Sequence, residues 1–197
     1  MLERAQRLGF VGPGPPEEHV AHALGFAEAL GAPGSGDGAG LDFADLGAGG
    51  GLPSLPILVL GLPRARATLI DSSQRRTAFL VWAGVELELE ARLTVVTGRA
   101  EEVAHRPGHR RRYDAVVARG FGPPATTIEI AVGLVRRDGR CVISEPPGGR
   151  RWPPDVLAGL GLVAVAGSPG FAVLHAVGDP PEMMPRPVKR QRREPLF

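Results

Sequence analysis

The sequence predicts an α/β protein with a doubly wound, mostly parallel sheet that ends in an antiparallel hairpin. Three observations predict it. Short apolar runs alternate with helix-like segments from Leu41 to Ser144; a glycine loop, DLGAGGGLP (residues 45–53), follows the first run; and the second run ends in an acid, Asp71. Alternation of this kind is the pattern of buried parallel strands joined by crossover helices.

Each element has its own signal. PPEEHVAHALGFAEAL (15–30) opens with prolines and acids suited to a first helical turn, then spaces Val20, Leu24, Ala27 and Leu30 on one face, as an amphipathic helix does when it packs on something larger. GAPGSGDGAG (31–40) has little that can pack and reads as a flexible joint. LDFADL (41–46) is the first strand, LPSLPILVLG (52–61) a helix with prolines in its first turn, RATLID (66–71) the second strand and SSQRRTAFLVWAG (72–84) the second helix. RLTVVTG (92–98) and YDAVVAR (113–119) are strands three and four, followed by a helix ATTIEIAVGLVRR (125–137) and a fifth strand GRCVISE (139–145). GLVAVAGS (161–168) and FAVLHAVG (171–178) form the terminal hairpin. The last stretch carries five basic residues in its final dozen, with prolines and no periodicity, and reads as extended or disordered. The expected organisation is a helix and joint (1–40), a main domain (41–178) and a basic, proline-rich tail (179–197).

Composition narrows the classes. A chain of 197 residues can bury one sizeable core. Of its 23 basic residues a single one, Lys189, is lysine, so an individual arginine is a weak signal. A net charge of +2 and a pI near 9.3 are compatible with a nucleic-acid partner without requiring one. One cysteine, Cys141, excludes an internal disulfide and a multi-cysteine zinc site, and its apolar run places it in the core. The five histidines show no metal-ligand spacing; His19 and His22 share a helix without a third ligand nearby. The N-terminus has no apolar signal core and no run approaches ~18 apolar residues, so the expectation is a cytoplasmic protein with no membrane span.

In an open parallel sheet, ligands bind beyond the carboxyl ends of the strands at the topological switch point, where the glycine loop falls. Its glycines permit positive φ and close backbone approach. Gly47, Gly49 and Gly51 give G-x-G-x-G, but a dinucleotide fingerprint needs glycine where Leu52 stands, which counts against a nicotinamide oxidoreductase. No Gly-Lys-Ser/Thr follows, so a P-loop is excluded. S-adenosylmethionine remains: its amino-acid end needs backbone approach and its ribose a carboxylate, which Asp71 can supply. The competing role of Asp71 is to cap the helix beginning at SSQRR.

Four motifs in order, DLGAGGGLPSLP, LIDSSQRRTAFL, GRAEE and VVARGF, resemble those of the ribosomal RNA small-subunit methyltransferase G family, over about residues 41–144. The basic tail is similar to family tails as well. The resemblance implies a Rossmann-like class I S-adenosylmethionine-dependent methyltransferase fold and methyl transfer to N7 of a guanine in 16S ribosomal RNA or the small-subunit particle. It implies cofactor contacts from Asp45, Gly47, Gly49, Gly51 and Leu52 in the loop region, from Ala100 and Glu101 in RAEE, and from Arg119; Asp71 is expected on the ribose by the general logic of the fold. The chain departs from the family in three places. One helix and a joint stand where members carry a longer helical region, Ser54 replaces a glycine, and SEPPGG (144–149) replaces a Lys-Gly, bringing Glu145 beside the site.

Guanine N7 has a free lone pair and no proton to lose, so the chemistry asks for alignment and exclusion of water more than for a base. Arg119, at a strand's carboxyl end, is the candidate orienting residue, for the cofactor carboxylate or the guanine O6; its competing role is a surface cation. Glu101 can equally belong to the acidic first turn of a short helix. Arg110, Arg111 and Arg112, with Lys189, Arg190, Arg192 and Arg193, are the candidate RNA-phosphate contacts. Alternatives are a divergent methyltransferase on another RNA or a small molecule, and a non-catalytic module binding RNA or protein.

Overall fold

Four consecutive apolar runs form parallel strands: β1 (Asp42–Leu46), β2 (Arg66–Asp71), β3 (Leu93–Thr97) and β4 (Tyr113–Ala118). β5 (Val135–Ser144) continues the parallel set, and the hairpin of β6 (Leu162–Val165) and β7 (Phe171–Ala176) completes a sheet of order β3-β2-β1-β4-β5-β7-β6, with β7 antiparallel to both neighbours. The computed structural model describes residues 1–31, 37–146, 152–165 and 169–197. Half of the expected glycine joint, the last half of SEPPGG and the end of GLVAVAGS lie outside the described residues.

Alternation along the strands divides the core into two layers. Phe43, Leu69 and Val117 face one cluster, with Phe26, Leu55, Leu58 and Leu80; Ala44, Ile70 and Val116 face the other, with Tyr113, Ile128 and Leu134. Both faces are therefore covered, as a parallel sheet requires. The first layer contains α2 (Pro16–Leu30), whose Phe26 meets Phe171 of β7 edge-to-face at 4.7 Å. It also contains α3 (Ser54–Pro56), which runs on into a π-helical turn (Ile57–Gly61), and α4 (Gln74–Glu86). α1 (Leu2–Arg7), which the sequence pattern does not announce, places Ala5 in the same layer. On the opposite face lie α5 (Ala100–Val103), α6 (Pro124–Leu134) and α7 (Pro154–Gly159).

Two expectations are corrected. The helix after β4 stops at Leu134, because Val135–Arg137 pair in β5: Arg111 and Arg112 donate their backbone N–H groups to Gly133 and Leu134, and Val135 sits opposite Tyr113. The tail, expected to be extended or disordered, folds back onto the domain and ends in α8 (Val188–Arg193). Arg186, only 8% exposed, donates Nε and Nη2 to the two carboxylate oxygens of Glu129 on α6, each at 2.7 Å, and its backbone N–H to the same carboxylate at 2.8 Å. A contact between residues so far apart in sequence leaves no local periodicity to read.

Candidate functional site

The strand order reverses between β1 and β4, and two adjoining hollows open at the carboxyl ends of the strands there. The first, of about 400 Å³, falls within the ~300–1,000 Å³ typical of ligand clefts. Asp71, at the end of β2, lines it. Its carboxylate is held by the backbone N–H of Gly49 at 3.0 Å and of Ser73 at 2.8 Å, with the Arg76 guanidinium 3.6 Å away. Asp71 does not cap α4, whose N-cap is Ser73; it orders the turn before the helix and borders the hollow. Those donors leave lone pairs on both oxygens for a further partner.

Gly47, Ala100 and Glu101 line the same hollow. Gly47 adopts φ +69°, and a Cβ there would lie 2.7 Å from the Phe121 ring, so both backbone and packing require glycine. Ala100 and Glu101 open α5 after β3, and Arg99 donates Nε to Glu101 at 2.6 Å.

The rest of the glycine loop has a different occupant. Gly49 and Gly50 receive the chain's own N-terminal segment: a Cβ on Gly50 would lie 2.5 Å from Val11 Cγ2 and 3.2 Å from the Phe10 carbonyl. Gly49, Gly51 and Leu52, expected at the cofactor, line neither hollow; Leu52 is buried in the loop and Gly51 packs against Leu55. Asp45 also lies behind the wall. It is fully buried, accepts the Ser54 hydroxyl at 2.6 Å on one oxygen and has no partner on the other among the described residues. Burial pushes its carboxyl up to about 7, against the hydrogen bond from Ser54. Ser54, the residue standing where the family has glycine, is therefore the partner of the buried acid.

The second hollow, of about 320 Å³, shares Gly120, Phe121 and Gly122 with the first. Arg119 lines this one and not the first. Its Nη2 lies 2.9 Å from the His19 ring, and its Nη1 is buried without a partner among the described residues. Desolvation lowers the guanidinium, opposed by the charge of Asp45. Across the hollow, His22 is kept below its ordinary value first by burial and then by the Arg119 charge. Glu145 borders the same space and accepts the Trp152 indole N–H at 2.7 Å.

The candidate RNA contacts separate into two groups. Arg110 donates to the carbonyls of Met184 and Glu182, Arg111 to that of Pro180, and Arg112 to the Asp42 carboxylate at 2.9 Å. These contacts brace the C-terminal segment and β1 and occupy part of each guanidinium, which leaves less of it for the expected phosphate contacts. Lys189, Arg190, Arg192 and Arg193 are exposed on α8. Sequence reasoning missed Arg76, Phe121, Val188 and Gln191, all lining the first hollow; Arg76 and Phe121 were inside quoted motifs, whereas nothing local marks the two α8 residues. Cys141 is buried in β5, its thiol pushed up to about 12 by burial, and belongs to the core.

Sheet order, glycine turn after β1 and acid after β2 define a Rossmann-like class I S-adenosylmethionine-dependent methyltransferase fold. A putative methyltransferase of this kind from Methanococcus maripaludis superposes with a TM-score of 0.58 at 15% identity, over 83% of this chain and 87% of that one. A methyltransferase from Geobacter sulfurreducens, solved with S-adenosylhomocysteine, gives a TM-score of 0.50 at 25% identity over 74% and 55%. The family profile of rRNA small subunit methyltransferase G matches residues 17–145, and the chain belongs to that family. Among the relatives, that of Rubrobacter xylanophilus is 38% identical over 67% of this chain and 49% of its own length; that of Roseiflexus castenholzii is 42% identical over 49% and 40%. The chain thus spans about half the length of the curated relatives it matches.

Proposed function

We propose that the protein is an S-adenosylmethionine-dependent methyltransferase that methylates N7 of a guanine in 16S ribosomal RNA, acting in the cytoplasm on that RNA or the small-subunit particle. The observation that carries the cofactor half of this reading is Asp71: a carboxylate with spare lone pairs, fixed by two backbone donors at the carboxyl end of β2, facing a hollow of cofactor size.

The residues fit the cofactor in charge and shape. Asp71 accepts the ribose hydroxyls, Gly47 presents its backbone to the methionine end beside Phe121, and Ala100 with Glu101 borders the base. The bound cofactor supplies a methyl group on a positively charged sulfur. The protein's work is then to bring the acceptor nitrogen into line and keep water out. The second hollow is the acceptor site in this reading, because it shares the Gly120–Phe121–Gly122 wall with the first. Arg119 lines this hollow, and its guanidinium suits the guanine O6, leaving N7 free to react. A neutral His22 beside it adds no competing cation.

Glu145 favours a second reading, a different acceptor. A carboxylate in this hollow repels the phosphates of an RNA strand. Two measurements test the proposal. Calorimetry with S-adenosylhomocysteine is expected to show binding that Asp71→Ala weakens at least tenfold; no binding by folded protein, or unchanged binding in the variant, removes the cofactor assignment. Mass spectrometry of 16S rRNA nucleosides from cells lacking the gene is expected to show loss of one 7-methylguanosine; its full retention, with no redundant enzyme, removes the acceptor.

A further inference from the structure

We infer that the C-terminal segment is the outer wall of the cofactor hollow, with the inner face of α8, Val188 and Gln191, holding the base end of the cofactor. This rests on the cofactor reading above and adds to it residues beyond the stretch matched by the family profile, which ends at residue 145.

Three sets of contacts fix the segment before it reaches the hollow. Arg111 and Arg110 hold the carbonyls of Pro180, Glu182 and Met184; the His105 ring lies 2.8 Å from the Pro185 carbonyl; and Arg186 is clamped by both oxygens of Glu129. Pro185 packs so closely on α6 that a Cβ on Gly133 would lie 2.6 Å from its Cδ. A segment anchored this way has already lost most of its conformational freedom, so it can take part in a binding site without a large ordering cost.

From that anchor Val188 and Gln191 reach the hollow beside Thr126 and Ile130 of α6. Gln191 is 2% exposed. Its Nε2 donates to the Arg186 carbonyl at 2.6 Å, which fixes the amide orientation, and its Oε1 has no partner among the described residues. A buried amide oxygen without a donor is a cost that a ligand N–H can remove. Sheet order says which end of the cofactor is near. A nucleoside whose ribose meets Asp71 on β2 and whose amino-acid end points to Gly47 after β1 must direct its base toward β3 and α5. α5 packs on α6, the helix to which the segment is clamped. The base, with Val188 on an apolar surface and an exocyclic amino group to satisfy Gln191, fits that corner.

The test combines S-adenosylhomocysteine calorimetry with hydrogen exchange on the full chain. Gln191→Ala is expected to weaken binding about tenfold, the worth of one hydrogen bond of about 1.4 kcal/mol. Saturating S-adenosylhomocysteine is expected to slow exchange about tenfold at the Arg190 and Gln191 amides, which bond to Pro187. Binding by the wild type that Gln191→Ala leaves unchanged, with no added protection in α8, overturns the inference and leaves the cofactor reading intact. Absence of binding by the wild type overturns both. Since the exchange measurement uses the unaltered protein, it decides the matter even where the variant fails to fold.

Discussion

At the scale of single residues, the site is built on two carboxylates that the fold treats in opposite ways. Asp71 is held by donors at the edge of a hollow, while Asp45 is sealed behind it with one oxygen unpartnered among the described residues. Asp45 makes stability depend on pH in a definite direction. Its folded value, raised from 3.8 to about 7, means that between these values the folded state keeps a proton that the unfolded chain has lost. Stability from this group is therefore greatest in acid, falls as pH rises through that window by at most ~1.4 kcal/mol per unit, and is flat above it. Asp45→Asn removes the titration and can still accept from Ser54. Urea unfolding at several pH values from 4.5 to 7.5 is expected to show the variant gaining on the wild type as pH rises; a constant difference would exclude the assignment. Arg119 gives a second residue-scale expectation. If it serves the acceptor hollow it lines, Arg119→Leu lowers kcat/KM on RNA by about 10²–10³-fold, in line with loss of one preorganised donor, and leaves S-adenosylhomocysteine affinity unchanged. A tenfold weaker cofactor would instead return Arg119 to the first hollow.

Elements show how distant parts of the chain complete the site. Removing Glu129 while keeping Arg186 leaves a buried cation alone, so Glu129→Ala is expected to cost about 3–5 kcal/mol by chemical denaturation. Replacing both residues with apolar ones of similar volume is expected to recover most of that loss, because the desolvation of two charges disappears with the pair. Equal destabilisation in the single and double variants would show that packing, not charge, fixes the segment. The same contact explains what could be read in advance. The sheet was legible because its strands are short apolar runs bounded by turn residues; Gly47 and Asp71, which line the hollow, were legible because they stand at strand ends, whereas Ala100 and Glu101 were marked only by the family resemblance. Residues placed by remote partners were not. Gln191 lies in a polar, basic stretch and gains its place through remote contacts such as that of Arg186 with Glu129; Gly49 and Gly50 carry the glycine signal but answer it with Phe10 and Val11. Val135 shows a third limit: a helical pattern ran through it until pairing beside Tyr113 took it into β5.

For the whole molecule, what matters is where the modest basic excess sits. Arg110, Arg111 and Arg112 spend part of their donors on carbonyls and on Asp42, so they raise the pI while offering less to a polyanion than unpaired cations would. Of the exposed cations of α8, Arg192 borders the first hollow. A strand of RNA that brought a base into the second hollow would pass its phosphates over a surface next to the cofactor's outer wall. Lys189 and Arg193 are the test, being exposed; Arg190, by contrast, pairs with Glu194 at 3.2 Å. Each phosphate contact to single-stranded RNA adds about 0.7 to the steepness with which log affinity falls against log salt. Lys189→Ala with Arg193→Ala is therefore expected to weaken RNA binding and lower that slope by about 1.4, with S-adenosylhomocysteine affinity unaltered because neither side chain lines the hollow. Arg110→Ala should behave in the opposite sense, loosening the segment and lowering unfolding stability while leaving the salt slope where it was. A slope unchanged by the Lys189 and Arg193 pair would move the RNA path away from α8 and leave the C-terminal segment with its role at the cofactor alone.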